Sequence, residues 1–173
     1  MRIRPFEPQD AAAVADLFAD YMQEVYGEPN AMSPDVLLRD MGTHFSMLVA
    51  VDGADQPIGF LAWRPTYDLH NAVAGGEIAD LFVARAHRGR ALSVRLVAFV
   101  ARAVLAQGGT YICTGVLVDD ARRLRLVRRM TVGFAAETVY LSGRGLRELA
   151  QLADADLKTL AANLPSPAAS REP

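Results

Sequence analysis

The residues from Leu81 to Ser93 combine small and basic side chains at the start of a predicted helix. The segment reads Leu81-Phe82-Val83-Ala84-Arg85-Ala86-His87-Arg88-Gly89-Arg90-Ala91-Leu92-Ser93. A helix start leaves four backbone N–H groups without intrahelical acceptors and carries about half a positive charge. Small residues let a diphosphate approach those groups, and Arg88 and Arg90 add cationic donors. The junction therefore predicts an anion site, although many strand-turn-helix junctions of this kind bind nothing.

The charges of the chain are segregated along the sequence. Residues 1–84 hold 13 acidic residues and 4 arginines, whereas residues 85–129 hold 10 arginines and two acidic residues. The basic middle favours an anionic ligand and the acidic front half favours a cation, unless both are only solvated faces. Because the arginines are not interleaved with exposed aromatic residues, we expect no nucleic-acid partner.

Composition limits the class of protein. The chain has 173 residues, 51% of them hydrophobic, which suits one domain with a core of its own. Cys113 is the only cysteine, so no intrachain disulfide can form. His44, His70 and His87 lack metal-ligand spacing, and we expect no metal. No apolar run approaches the roughly 20 residues that span a bilayer, and the N-terminus lacks a signal-peptide pattern, so we expect no membrane association and a cytoplasmic location.

The hydrophobic periodicity predicts the order β α α β β β α β α β α. The predicted elements are strands Ile3–Phe6, Met47–Val51, Ile58–Arg64, Glu77–Val83, Thr110–Val118 and Ala135–Leu141; helices to about Tyr26, from Ser33, from about Gly89 to Gln107, Asp119–Met130 and Leu146–Leu164; and a loop Tyr67–Gly76. This order predicts an α/β fold, a mixed central sheet flanked by helices with an extra C-terminal helix. We expect one domain over residues 1–164 and a frayed tail over residues 165–173.

The element order and the junction together resemble the GNAT superfamily of N-acetyltransferases. The acyl-CoA motif of that superfamily, Arg/Gln-x-x-Gly-x-Gly/Ala, is matched by Arg88-Gly89-Arg90-Ala91-Leu92-Ser93, with Ala91 where glycine is usual and Ser93 where glycine or alanine is usual. Further similar stretches are Ile3-Arg4-Pro5, Pro57-Ile58-Gly59-Phe60, Leu81-Phe82-Val83 and Gly133-Phe134. Residues 38–64, Thr66-Tyr67-Asp68 and Ala79-Asp80 are similar to the diamine (spermidine/spermine-type) branch.

The resemblance implies transfer of an acetyl group from acetyl-CoA to a primary amine, by direct attack in a ternary complex. We expect the following residues to bind the co-substrate: Leu81, Phe82, Val83, Arg88, Gly89, Arg90, Ala91, Leu92 and Ser93. The backbone N–H groups from Leu81 to Val83 would hold the pantetheine arm as an added strand and polarise the thioester carbonyl.

The reaction needs a group that takes a proton from the amine, whose pKa is about 10. Asp80 and Glu77 are the candidates on the strand before the motif. Three residues apart on a regular strand, they are expected on opposite faces, so that only one would meet the acceptor. The tyrosine that the superfamily often places after the fifth strand is missing from Leu124–Met130, so Tyr140 is a candidate donor to the thiolate, with Tyr111 as an alternative.

The acceptor is expected on the acidic side of the molecule. The candidate acceptor residues, each of which has an ordinary core or surface role as its alternative, are Tyr21, Glu24, Tyr26, Trp63 and Tyr67. Asp20, Glu28, Asp35 and Asp68 add negative charge nearby in sequence, which favours a small cationic amine.

Other functions and assembly states remain open from the sequence. The acceptor could instead be a protein or aminoglycoside amine, and the weakened motif would also suit an acyl-CoA sensor without catalysis. The short C-terminal strand region and the apolar helix Leu146–Leu164 predict a homodimer.

Overall fold

The computed structural model describes residues 1–116, 124–125, 128, 143–152, 159 and 162–163. The chain divides into two units, Met1–Asp120 and Ala121–Pro173. In the second unit, the helix Gly143–Gln151 is described, and its Leu146 is about half exposed. The predicted helix Asp119–Met130, the strand Ala135–Leu141 with Tyr140, and the tail from residue 165 lie largely or wholly outside the described residues.

The first unit is a five-stranded sheet with helices on both faces. Its elements are β1 (Arg2–Pro5), α1 (Ala11–Val25), α2 (Pro34–Asp40), β2 (Ser46–Val51), β3 (Pro57–Asp68), β4 (Val73–Val83), α3 (Leu92–Ala106) and β5 (Tyr111–Thr114). The strands lie in the order β1-β2-β3-β4-β5; the first four are antiparallel neighbours, and β5 is parallel to β4. The predicted mixed sheet and the β4-α3-β5 unit are confirmed.

Each face of the sheet has its own core. On the face that we call the α1 face, Phe18 of α1 stacks on Phe60 at 4.1 Å, with Phe82 beside it. On the opposite, α3 face, Leu61, Trp63 and Ile78 pack against α3. Successive side chains of β3 point alternately into the two cores, and this strand is therefore apolar over most of its length.

The buried stripe of α3 consists of Leu92, Leu96, Val100 and Val104, whereas Phe99 and Ala103 are only partly buried. All four buried residues are spaced by four, which keeps them on one side of the helix over three turns.

The predicted loop Tyr67–Gly76 is wrong. β3 continues to Asp68 and β4 begins at Val73, so that only four residues connect them. Gly75 and Gly76 look like turn residues in the sequence, but they lie inside β4 because larger residues would not fit. A Cβ on Gly75 would lie 2.5 Å from the Tyr111 ring, and one on Gly76 would lie 2.6 Å from Val104.

A buried ion pair ties the first strand to the start of α1. Arg4 donates from both terminal nitrogens to Asp10, at 2.6 and 2.9 Å, and the backbone N–H of Glu7 donates to the same carboxylate at 2.8 Å. Asp10 is only 2% exposed. Burial of this carboxylate is tolerable because its oxygens are paired and hydrogen-bonded.

Candidate active site

The C-terminal end of β4 extends beyond its pairing with β5. β5 pairs with β4 along Gly75–Ile78 and, among the described residues, no further. The N–H of Ala84 donates to the carbonyl of Ile58 on β3. Because every second residue of an antiparallel strand bonds to its neighbour, the N–H groups of Leu81 and Val83 point away from β3. We call Leu81–Val83 the open half-strand; it can take an extended ligand as an added strand, as the sequence predicts.

A β-bulge at Ala79 sets the direction of the two candidate carboxylates. Ala62 pairs with Asp80 but the next residue, Trp63, pairs with Ile78, so Ala79 is an extra residue in β4. Asp80 is therefore on the face of Ala62, and Glu77, opposite Arg64, is on that same α1 face. The expectation that Glu77 and Asp80 point to opposite faces is wrong, because a bulge shifts the alternation by one residue.

Asp80 is held by an aromatic side chain of α1. The Tyr21 hydroxyl donates to Oδ1 of Asp80 at 2.8 Å, and it lies 3.4 Å from the Tyr26 hydroxyl. Tyr21 is 5% exposed, and burial, aided by the Tyr26 and Asp80 hydrogen bonds, raises its pKa far above the ordinary value. Tyr21 thus stays protonated and donates a hydrogen bond at any working pH.

Glu77 is held by a different partner. Arg64 Nε donates to Glu77 Oε2 at 2.8 Å. Cys113 pairs in register with Glu77, and burial together with the Glu77 charge raises the pKa of its thiol. Cys113 as a whole is exposed. A thiol with a raised pKa is a weak nucleophile near neutral pH, which argues against an acyl-cysteine intermediate here.

The turn between β4 and α3 is where the sequence predicts an anion site. Arg85–His87 form one turn of 3₁₀ helix, Gly89 has φ +78° and Ala91 has φ +55°, so α3 begins at Leu92 and not at the predicted Gly89. No side chain caps α3, and its first backbone bond runs from the Arg95 N–H to the Ala91 carbonyl. The N–H groups of Leu92, Ser93 and Val94 come before the first hydrogen bond of the helix and have no acceptor within it. Such N–H groups at a helix start can bind an anion.

Arg88 makes contacts that the sequence does not reveal. Its Nε donates to the Val83 carbonyl at 2.8 Å, and its terminal nitrogens donate to the two Glu24 carboxylate oxygens at 2.7 and 2.8 Å. Its guanidinium also lies 5.3 Å from the centre of the Phe82 ring. Arg88, which we expect to bind the co-substrate, is therefore paired with Glu24, which we expect to bind the acceptor. Arg88 precedes α3 and does not share the exposed face of that helix with Arg95 and Arg102.

A cleft of about 320 Å³ lies beside this ion pair. It is lined by Asp20, Gln23 and Glu24 of α1, by Phe82 of β4 and by Arg85. Its wall thus combines two carboxylates and one guanidinium with an aromatic ring.

Two of the expected acceptor residues are directed away from Asp80. Trp63 is 5% exposed and packs in the core of the α3 face. Tyr67, four residues later on β3, is on that same face by alternation. Asp68 accepts the backbone N–H groups of His70 and Asn71 and thus shapes the β3–β4 turn. Tyr21, Glu24 and Tyr26 are the expected acceptor residues that remain on the α1 side.

Among the described residues, no group of three or more His, Cys, Asp and Glu side chains is arranged to hold a metal ion. In the same part of the chain, no helix has both the length and the apolar character required to cross a membrane.

Comparison with known proteins identifies the family. The family model for the acetyltransferase (GNAT) family matches residues 11–134. The chain belongs to the GNAT family and is an acetyl-CoA-dependent N-acetyltransferase. No protein with a curated description matches the sequence significantly.

Solved structures support the fold. An integron cassette protein from the mobile metagenome of V. cholerae has a TM-score of 0.71 at 16% identity, covering 87% of this chain and 97% of its own. A ribosomal-protein-alanine N-acetyltransferase from Brucella melitensis biovar Abortus 2308 has a TM-score of 0.67 at 17% identity, covering 82% and 99%. An aminoglycoside acetyltransferase from an uncultured soil metagenomic sample, in complex with sisomicin, has a TM-score of 0.64 at 14% identity, covering 82% and 93%. These likenesses do not separate the diamine branch from the others.

Proposed function

We propose that this enzyme transfers the acetyl group of acetyl-CoA to the primary amine of a small, cationic acceptor. The observation that carries the proposal is the position of Asp80: its carboxylate lies at the open end of β4, on the α1 face, and is fixed by Tyr21. The co-substrate supplies the activated acetyl group, and the N–H groups of Leu81 and Val83 and the start of α3 are the groups that would hold it.

Asp80 is the better candidate for the proton acceptor. An alkyl amine is protonated near neutral pH, since its pKa is about 10, and it must lose a proton to attack. Asp80 adjoins the open half-strand, whereas Glu77 is three residues further from it and is paired with Arg64. Because both carboxylates share the α1 face, Glu77 remains a second candidate. Tyr140 remains the candidate donor to the thiolate.

Negative charge on α1 supports a cationic acceptor. Asp20 and Glu24 line the cleft beside Phe82, and the Tyr21 and Tyr26 hydroxyls lie within 3.4 Å of each other near Asp80. Carboxylates beside aromatic rings favour a cation over an anion. Two structures with a similar fold are aminoglycoside acetyltransferases, which supports an amine acceptor for this fold.

The test is a comparison of acceptors at two salt concentrations. Purified protein and acetyl-CoA are incubated with polyamines, neutral amines or acidic amino acids, and the released thiol is measured. We expect the polyamines to react fastest and to lose that advantage at high salt, because salt screens the carboxylates. Fastest turnover of an anionic acceptor would refute the cationic site. Binding of acetyl-CoA without thiol release from any amine would favour the sensor.

We also propose that the protein is a homodimer. Leu146 on the helix Gly143–Gln151 is about half exposed, and a second subunit that covered it would remove apolar surface from water. Light scattering at micromolar concentration measures this directly, and a mass close to the 18.7 kDa of one chain would refute it.

A further inference from the structure

A second cleft, of about 550 Å³, opens on the α3 face of the sheet. Its apolar wall consists of Ile3 on β1, Leu48 on β2, and Phe99 and Ala103 on α3. Leu48, Phe99 and Ala103 are only partly buried, so part of their apolar surface remains in contact with water. The cleft is thus apolar, and its volume is within the range of about 300–1,000 Å³ that is typical of small-molecule sites.

Small side chains on α3 leave the cleft open beside the edge of the sheet. β1 is an edge strand of the sheet, and Ala103 and Ala106 are on the part of α3 that lines the cleft with it. An alanine side chain ends at Cβ, so the helix does not fill the space next to Ile3 and Leu48. A ligand can fill that space without moving the core.

Arg102 brings a positive charge to the cleft that no carboxylate pairs with in the described part of the chain. Its Cζ lies 4.5 Å from the centre of the Phe99 ring. The arginines of the first unit that do have a carboxylate partner are Arg2, Arg4, Arg39, Arg64 and Arg88. Arg4 also lines the cleft, but Asp10 compensates its charge. Among the described residues, Arg102 therefore leaves one uncompensated positive charge beside the apolar wall.

The C-terminal end of α3 does not cancel this charge. The last carbonyl groups of a helix carry about half a negative charge, which would repel an anion. Here the N–H groups of Gln107, Gly108 and Gly109 donate to carbonyls of the last turn at 2.9–3.2 Å. These bonds satisfy the carbonyls, and the full charge of Arg102 exceeds the partial charge of the helix end.

We infer that this cleft is a second ligand site, which binds a small carboxylate with a compact apolar body, such as a medium-chain alkanoate. The carboxylate pairs with the Arg102 guanidinium, and the apolar body covers Ile3, Leu48 and Ala103. The inference goes beyond acetyl transfer and does not depend on the proposed function.

The guanidinium and the apolar wall together select this class of ligand. A guanidinium offers parallel N–H donors that match the two oxygens of a carboxylate. Its position over the Phe99 ring restrains Arg102, so less side-chain freedom is lost when an anion binds. The apolar wall contributes only if the ligand has an apolar body that leaves water. A small, fully hydrated anion gains nothing from that wall.

The sheet separates this cleft from the proposed active site. Asp80 and the cleft beside Phe82 are on the α1 face, whereas the second cleft is on the α3 face. Along α3, Arg102 is ten residues beyond Leu92, where the helix begins, which corresponds to about 15 Å. A ligand in the second cleft therefore does not compete with CoA for the turn before α3.

NMR titrations with octanoate and 1-octanol test the site, because the two molecules share an apolar chain and differ in charge. The titrations give dissociation constants and show which backbone N–H signals move, for the unmodified protein and for Arg102→Gln, Ala106→Trp and Arg95→Gln. Ala106→Trp fills the cleft from an exposed position. Arg95→Gln is the matched control, because Arg95 is exposed on the same helix but does not line the cleft.

We expect octanoate to move the signals of the residues that line the second cleft. Arg102→Gln should weaken octanoate binding about fivefold and leave 1-octanol binding within about twofold, because only the anion needs the guanidinium. Ala106→Trp should weaken both ligands, and Arg95→Gln should weaken neither. Saturating CoA should leave the dissociation constant of octanoate unchanged. Thermal melting of each variant shows that it is folded.

Equal weakening of octanoate binding by Arg102→Gln and Arg95→Gln would reveal a general attraction to a basic helix and overturn the site. Signals that move only around Asp20 and Phe82, or octanoate binding that CoA abolishes, would overturn it by placing the anion in the proposed active site. Absence of octanoate binding to the unmodified protein would also refute the inference. If Ala106→Trp then lowered the mass measured by light scattering, the cleft would be an interface between two copies of this chain.

Discussion

The hydroxyl of Tyr21 and the carboxylate of Asp80 are joined by a 2.8 Å hydrogen bond between helix α1 and strand β4. Tyr21 is 5% exposed, and its ring also lies 5.9 Å from that of Phe82. The orientation of the candidate base is thus set by a side chain that the core itself immobilises.

Replacing Tyr21 with phenylalanine should lower both stability and turnover. The change removes a donor to a carboxylate, which costs about 1.5–3 kcal/mol. Urea unfolding and kcat with the best amine measure the two effects. Tyr26→Phe is the matched control, because its hydroxyl is 3.4 Å from Tyr21 and the residue is 49% exposed. An equal loss in both variants would contradict a specific role for the Tyr21–Asp80 bond.

Asp80→Asn should reduce kcat/KM about 10²- to 10⁴-fold near neutral pH, the range ascribed to a general base. The rate should recover partly at high pH, where more of the amine is already deprotonated. Glu77→Gln should cost less, because Glu77 is three residues further from the open half-strand. The reverse order of the two losses would assign the base to Glu77.

The turn before α3 predicts opposite effects of two changes at Ala91. Ala91 has φ +55°, where a residue with a Cβ is strained, so Ala91→Gly should raise stability by about 1 kcal/mol and preserve co-substrate binding. Ala91→Leu should abolish the rise in melting temperature that acetyl-CoA causes, since a bulky side chain blocks the diphosphate. An unchanged melting shift in Ala91→Leu would place the diphosphate elsewhere.

The buried pair of Arg4 and Asp10 should matter more than an exposed pair. Asp10→Ala leaves a guanidinium that is 10% exposed without its main partner and should destabilise the protein by about 3–5 kcal/mol in urea unfolding. Asp40→Ala, which breaks the Arg39–Asp40 pair with Arg39 69% exposed, should cost far less, because solvent screens that pair. Similar costs for the two variants would show that Asp10 contributes no more than a surface acid.

The β3–β4 turn should contribute a pH-dependent part of stability. Hydrogen bonds from the Asn71 side chain and from the Asn71 and His70 backbone lower the pKa of Asp68 below its ordinary value. A carboxylate with a lowered pKa stabilises the folded state above its unfolded pKa of about 4, and this is lost as the pH falls through the folded value. The stability difference between the unmodified protein and Asp68→Asn should therefore shrink in acid. A difference that stays constant down to pH 2 would refute this.

The sequence predicts most of the helices and strands of the first unit, because local patterns of hydrophobic residues determine them. Alternating and helical periods locate the sheet, α1 and the β4-α3-β5 unit, and Arg88–Ser93 mark the turn before α3. Contacts between distant residues have no such signature. Arg88 is 64 positions from Glu24, and Tyr21 is 59 positions from Asp80, so neither pairing can be derived from spacing.

Two predictions from the sequence are wrong for local physical reasons: the loop Tyr67–Gly76, and the placement of Glu77 and Asp80 on opposite faces. Gly75 and Gly76 resemble a turn, but they are glycines because Tyr111, Val104 and Trp63 occupy the space beside them. The bulge at Ala79 leaves no mark in the sequence, since alanine is an ordinary strand residue. Its effect on Glu77 is visible only in the register with β3.

The extra residue at Ala79 also determines where this gene can lose a codon. Deleting Ala79 would close the bulge and leave the pairs Ala62–Asp80, Trp63–Ile78 and Arg64–Glu77 as they are, so the side chains of β4 would keep their faces. Deleting Leu81 would close the same bulge by moving Asp80 opposite Leu61, on the α3 face and away from Tyr21. Natural variants of this chain should therefore tolerate the loss of a residue at Ala79 or in the four-residue turn before β4, but not at Leu81.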